Sequence, residues 1–373
     1  MKYYRNLCDL GTLSPAECAA LEPVVQQYAF RANAYYLSLI DWHDPADPIR
    51  RLIIPSLDEL AESGRLDPSD EQSCTILPGL EHKYNSTVLL LVSNVCEGIC
   101  RYCFRKRVFM KPGQELLRDV DGAMAYIGVH KEITNVLLTG GDPLVLTAGK
   151  LEAIISRLRQ IAHVQIIRIG TRVPVFHPDR ILEDPELADL ISTYSLPAKK
   201  IYVMNHFCHP RELTDKALAA CDCLRRAGAV LTNQCPLIRG VNDDPDVLAE
   251  LMQKLSFAGI VPYYLFQCRP ALGNYAYAVP IEEGYQIVEA AKSKVSGLAK
   301  RLRYVISHAS GKLEIIAATR HRVFFKYHRA ADDADSGRII VCRSNPQARW
   351  LDDYEEILET SPMGFRFRGY GPE

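Results

Sequence analysis

The run Thr87-Val-Leu-Leu-Leu-Val-Ser93 leads directly into Asn94-Val-Cys96-Glu-Gly-Ile-Cys100-Arg-Tyr-Cys103. Its first seven residues hold the continuous apolar run Val88–Val92 and are too few for a typical helix, so they predict a strand buried on both faces. The loop after it carries three thiols spaced CxxxCxxC. A strand covered on both faces belongs to a parallel sheet flanked by helices, and functional groups on such sheets gather where the strands end. The cysteines stand at such an end.

Moving outward, similar runs recur at Asn135–Thr139, Ile166–Gly170, Lys200–Asn205, Val230–Pro236, Val261–Phe266 and Tyr304–Ser307. Helical patterns fall between them at Leu117–Val129, Thr147–Gln160, Thr214–Ala227, Asp246–Phe257 and Ile281–Leu298. A repeat of roughly 30–45 residues is that of a βα unit. About six units fall short of the eight that close a barrel. The sequence therefore predicts an α/β fold, a partial (β/α)6-type open TIM-like barrel over residues 85–312. Residues 1–84 are expected to form a helical N-terminal extension. Within it, Ser14-Pro15-Ala16-Glu17 supplies an N-cap, a first-position proline and a capping-box glutamate, and Asp58–Gly64 suggests a short helix. Residues 313–373 are expected to add a small β-hairpin, Val323–His328 with Arg338–Cys342. Ser361–Glu373 reads as a disordered tail or a homo-oligomer contact.

Composition excludes several classes of function. Lys and Arg total 44 against 45 Asp and Glu, a formal net charge of −1, so no global field draws in nucleic acid or an anionic membrane. No apolar run approaches the roughly 20 residues of a membrane span. The opening residues lack the basic and apolar regions of a secretory signal, and the expected location is cytoplasmic. Twelve cysteines in such a chain are not expected to form a disulfide framework. The nine outside the loop read as buried or incidental.

Three thiolates on one loop can hold three irons of a cubane [4Fe–4S] cluster and leave the fourth iron open to a ligand. Spacing alone leaves two alternatives, a zinc site or three unrelated thiols. Zinc ligands usually come as paired CxxC or with histidines, and no partner pair is present. Gly140-Gly141-Asp142-Pro143 ends the next strand and taken alone is a turn.

Together, CxxxCxxC with Tyr102 before the last cysteine and the Gly140–Pro143 string resemble the radical S-adenosylmethionine (SAM) superfamily. The resemblance implies a cluster on Cys96, Cys100 and Cys103. It also implies SAM held at Gly140, Gly141 and Asp142, glycine allowing close backbone approach. Further strings are similar to the lysine 2,3-aminomutase family: Cys100-Arg-Tyr-Cys-Phe-Arg-Lys-Arg107, Ile167-Arg-Ile-Gly-Thr-Arg-Val-Pro174, Asn205-His-Phe-Cys-His-Pro-Arg-Glu212 and Val261-Pro-Tyr-Tyr264. The likeness implies a pyridoxal 5'-phosphate enzyme that moves an α-amino group to the neighbouring carbon by radical chemistry. A flavodoxin- or ferredoxin-type electron donor is implied with it. Lys312, in Ser307-His-Ala-Ser-Gly-Lys312, stands where the family's cofactor lysine is expected, in a loop after the last strand. Lys83 matches a family position for the cofactor phosphate, while a second family arginine, four residues on, is Thr87 here. Asn233 and Gln234 are candidate cofactor contacts or simply partners of backbone groups.

Arg105 matches the arginine that binds the substrate carboxylate, against the alternative of a solvated basic run. Lysine-specific members hold the distal ammonium with two aspartates. This chain has Arg269 at one position and Ser307 or His308 at the other. A buried arginine repels an ammonium, so the sequence favours a glutamate-like substrate, unless Arg269 braces the fold against a nearby acid. Asp244 replaces a family zinc cysteine, so structural zinc is not expected. The competing expectations are lysine 2,3-aminomutase on free lysine or for translation-factor modification, a radical SAM non-mutase, and a non-catalytic metal-binding protein.

Overall fold

The structure, a computed structural model, describes residues 1–110 and 115–361. All seven runs expected as strands are strands. With six more they form one sheet whose order follows the chain. The strands are β1 (Thr75–Leu77), β2 (Leu80–Tyr84), β3 (Thr87–Ser93), β4 (Asn135–Gly140), β5 (Ile166–Thr171), β6 (Ile201–Asn205), β7 (Val230–Leu237), β8 (Val261–Gln267), β9 (Arg303–His308), β10 (Gly311–Ala318), β11 (Arg322–Ala330), β12 (Ile339–Arg343) and β13 (Ile357–Thr360). Neighbours from β3 to β9 are parallel. The strands on either flank are antiparallel. The sheet does not close on itself, as a partial barrel requires.

Helices link the parallel strands. After α1 (Pro15–Gln27) come α2 (Val120–Val129), α3 (Ala148–Gln160), α4 (Pro185–Tyr194), α5 (Asp215–Arg226), α6 (Pro245–Phe257) and α7 (Ile281–Ser293). Ser14 caps α1 with the expected reciprocal box with Glu17. Helix α4 was not expected, although Asp184 at the N-cap, Pro185 at the first position and buried Leu187, Leu190 and Ile191 spell it out. Among the described residues no helix is long and apolar enough to cross a membrane.

The flanks hold more sheet than expected. The stretch before Thr87 ends in two strands, β1 and β2, not only in helices. Beyond β9 the chain adds four antiparallel strands rather than one hairpin. The hairpin expected after Lys312 is present as β11 and β12, but β10 precedes it and β13 follows it. The tail from 362 lies outside the described residues.

The N-terminal segment props the cysteine loop. Arg101, 1% exposed, donates through Nε and Nη2 to Glu59 at 2.9 Å each and through Nη1 to the Ala29 carbonyl. Lys106 adds a third bond to Glu59 at 3.2 Å. The Ile99 and Arg101 backbone N–H groups donate to the Arg31 and Leu52 carbonyls. A buried carboxylate bonded by two cations fixes geometry at a desolvation cost.

Candidate active site

One cavity of about 290 Å³ runs from the C-terminal strand ends to β10 and β11, and its walls include Cys96, Cys100, Cys103, Arg105, Gly140, Gly141, Asp142, Lys83, Gln234, Arg269 and Lys312. Of the site residues singled out from sequence, Asn233 does not line it, nor does His308, the alternative to Ser307. The Asn233 side-chain amide accepts from the Phe207 N–H and donates to the Phe207 carbonyl, so it braces the strand ends, the backbone-partner role that was the alternative expected for it. Strand alternation turns neighbouring Gln234 inward.

The three thiols sit at one end. Burial raises all three, Cys103 to about 11, so ionising them calls for a positively charged partner, as a cluster's irons provide. The Arg172 guanidinium donates to the Cys100 sulfur at 2.8 Å and also pairs with buried Glu212. Hydrogen bonds to ligand sulfurs are a lever on cluster potential. The donor set fits a cluster of this kind.

The glycine segment is tight for a reason the sequence did not show. A Cβ on Gly140 would lie 2.3 Å from the Ser93 carbonyl oxygen, and one on Gly141 2.4 Å from that of Val95. Both glycines are therefore required for packing against the strand that carries the cysteine loop. Asp142 is likewise engaged internally: its oxygens accept from Thr171 Oγ1 and from the Leu144 and Arg172 N–H groups. Burial raises it to about 6 despite those bonds. It lines the cavity as a bracket between β4 and β5.

At the far end, Lys312 is the second residue of β10, not a loop residue. A two-residue turn, Ala309-Ser310, brings it opposite Ser307 on β9 and opposite Arg329 on β11. Its amine donates to Tyr84 Oη at 3.3 Å. Burial, then Arg168, Arg329, Arg269 and Lys83, hold its pKa well below the ordinary lysine value. Lys83 donates to the His308 carbonyl at 2.7 Å, and burial lowers its pKa as well. The residues here fit a phosphate-bearing aldehyde: a lysine kept neutral, with further cations beside it.

Between the two ends lies a carboxylate–guanidinium cluster. Arg105 makes a two-point pair with Glu71, at 3.0 and 2.7 Å, and donates to Thr139. Glu71 also accepts from Arg107 at 2.6 Å and lies 3.9 Å from Arg269. Burial alone would raise Glu71, but Arg105 and Arg107 outweigh it and hold the carboxyl down at about 2. Glu81 goes the other way, pushed up to about 8 by burial and by Glu71. Arg269 stacks 3.7 Å over the Phe104 ring and donates through Nη2 to Ser307, while its Nη1 is buried without a hydrogen-bond partner among the described residues.

Glu71, Glu81, Arg168, Arg172 and Arg329 were missed by sequence reasoning. Glu81 was findable, being two residues before Lys83 on one face of a strand. Arg329 needed the register of β10 with β11. Cys74 and Cys268, read as incidental, also line the cavity.

Residues 90–252 match the model of the Radical SAM superfamily. A protein of Aquifex aeolicus provisionally named L-lysine 2,3-aminomutase is 49% identical over 359 residues, 96% of each chain. The L-lysine 2,3-aminomutase of Clostridium subterminale is 38% identical over 288 residues, 76% of this chain and 68% of that one. The chain belongs to the lysine 2,3-aminomutase family of radical SAM enzymes. It is therefore an isomerase-type radical SAM enzyme, and the superfamily implies SAM and a [4Fe–4S] cluster. Family membership does not by itself choose a substrate: the glutamate 2,3-aminomutase of Clostridioides difficile is 34% identical over 296 residues, 79% of this chain and 69% of that one.

Proposed function

We propose that the chain is a pyridoxal-phosphate-dependent 2,3-aminomutase acting on an amino acid with an acidic side chain. The observation that carries the cofactor reading is Lys312: a buried amine with depressed basicity, in the same cavity as the three loop thiols. When bound, the cluster and SAM supply a hydrogen-abstracting radical, and pyridoxal phosphate supplies the π-system through which nitrogen migrates. The chain's own residues bind, orient and shield. Cys96, Cys100 and Cys103 hold the cluster, and Lys312 holds the aldehyde carbon of pyridoxal phosphate. The reducing electron comes from a flavodoxin- or ferredoxin-type donor.

Arg105, whose guanidinium pairs with Glu71, receives the substrate α-carboxylate. A planar guanidinium suits either carboxylate. Arg269, whose Nη1 makes no hydrogen bond among the described residues and faces Glu71 at 3.9 Å, receives the distal carboxylate. A free lysine substrate is the second reading, favoured by Glu71 and Glu81 in the same wall and by the names of the relatives.

The test is anaerobic incubation of reconstituted enzyme, SAM and reductant with a panel of amino acids, with β-isomers identified by mass spectrometry. Glutamate or aspartate should be converted and lysine should not. Robust β-lysine formation would overturn the acidic reading. Absence of any β-isomer would overturn the aminomutase reading.

A further inference from the structure

Three basic side chains stand over the Tyr84 ring in the cavity wall. Lys312 Nζ lies 4.5 Å from the ring centroid, the Arg329 guanidinium carbon 4.5 Å and Lys83 Nζ 6.0 Å. Arg168 lines the same wall and is close enough to depress Lys312. Among the described residues none of the four makes an ion pair. The partners they do have are neutral: Asn135 for Arg168, the Ser86 and Thr87 hydroxyls for Arg329, Tyr84 for Lys312, and the His308 and Ser69 carbonyls for Lys83. Arg329 uses one nitrogen for both hydroxyls, and Arg168 uses only Nε. The other nitrogens of these two arginines donate to no described residue.

Such an arrangement is costly on its own. Lys312 and Arg329 are direct cross-strand partners, and like charges directly opposite one another destabilise a sheet. Burial and that opposition keep the Lys312 amine neutral, and the charges left without an anionic partner among the described residues, on Arg329, Arg168 and Lys83, suit a dianion. Arg168 comes from β5, Lys312 from β10 and Arg329 from β11, and all three line the one cavity. Gly311 permits the approach: its φ is +144°, and a Cβ there would lie 2.4 Å from the Arg329 carbonyl oxygen.

We infer that Arg329, with Arg168, clamps the phosphate of the aldehyde cofactor that Lys312 holds. Arg329 reaches the cofactor from the antiparallel strands beyond the parallel core, anchored on Ser86 and Thr87. Those strands thereby contribute a binding group rather than merely covering an edge. Arg168 reaches the same cavity from β5. The inference rests on the pyridoxal-phosphate reading above, and the two can fail separately.

The test compares the affinities of protein with its cluster reconstituted for pyridoxal phosphate and for pyridoxal, which has the aldehyde but no phosphate. Binding is followed by absorbance of the lysine adduct, and the site is mapped by borohydride reduction and peptide mass analysis. Because Arg329 adds to burial in depressing the Lys312 amine, pyridoxal serves as the reference: Arg329→Gln should weaken pyridoxal phosphate roughly 10- to 100-fold more than it weakens pyridoxal, the range for losing one or two charge-assisted bonds. Arg168→Gln should behave alike, and Arg329→Lys should recover part of the loss. Retained formation of the pyridoxal adduct shows that the variants are folded. Equal losses for both ligands, or no loss for either, would overturn the clamp while leaving the cofactor reading intact. No adduct in the unaltered protein, or an adduct that survives Lys312→Ala, would overturn the cofactor reading itself and the clamp with it.

Discussion

At the scale of single residues, the site works by setting like groups in unlike surroundings. Glu71 and Glu81 are both buried acids in one wall, yet three guanidiniums hold the first ionised while burial and its neighbour keep the second protonated. A charged Glu81 would add a second anion beside Glu71 and compete for Arg105, which it approaches to 3.9 Å. The consequence for stability has a definite sign. Glu81 is raised in the fold from the ordinary carboxylate range to about 8, so its contribution is fully present below that ordinary range. It is lost as pH rises through about 8, because the unfolded chain releases the proton first. Urea unfolding of the protein free of cofactors should show a midpoint that declines across this window. In Glu81→Gln the decline should be much shallower, whereas an identical pH profile in the two proteins would show that Glu81 titrates normally.

At the scale of elements, the cysteine loop is held from outside the parallel core. Its first support is the end of β3. Its second is the Glu59–Arg101–Lys106 knot, where a 0% exposed carboxylate receives both cations and also the Tyr277 hydroxyl. Removing one partner of a buried pair leaves the others uncompensated, at about 3–5 kcal/mol. Glu59→Ala should therefore lose stability of that order by urea denaturation and retain less iron per chain after reconstitution. Full iron content with a large stability loss would show that the knot supports the fold but not the loop. The sequence made the loop legible because all three thiols lie within eight residues. It could not reveal Glu59, 42 residues before Arg101, since nothing local marks a glutamate as buried. The parallel strands were legible for the same kind of reason: an apolar run covered on both faces is a local signal. The antiparallel flanks were not. β10 alternates only weakly, its role depends on pairing with β11, and so Lys312 read as a loop residue. The glycines of Gly140-Gly141 were legible as glycines, but their packing cause lay in the carbonyls of Ser93 and Val95.

At the scale of the whole molecule, the question is whether the flanks fold with the core. A chain of 373 residues is long enough to divide into separately cooperative units, and the sequence suggests three stretches. The structure runs one hydrogen-bonded sheet through all of them, from Thr75 in β1 to Thr360 in β13. Buried side chains from the N-terminal segment, the parallel strands and the C-terminal strands form a single cluster. The cavity also draws its walls from both flanks, with Lys83 before the core and Arg329 after it. Two tryptophans report on the ends: Trp42 packs against the core from the N-terminal segment, and Trp350 is buried beyond β12. Local unfolding of a flank would expose one tryptophan before the other, whereas a sheet that melts as a unit exposes both together. In protein free of iron, Trp42→Phe and Trp350→Phe variants should give fluorescence transitions in urea that coincide with each other and with loss of far-ultraviolet circular dichroism. An earlier transition for the protein retaining only Trp350 would mean that the C-terminal strands detach first. The phosphate clamp at Arg329 would then be an element that the cofactor has to order, and adding pyridoxal phosphate should move that transition back onto the others.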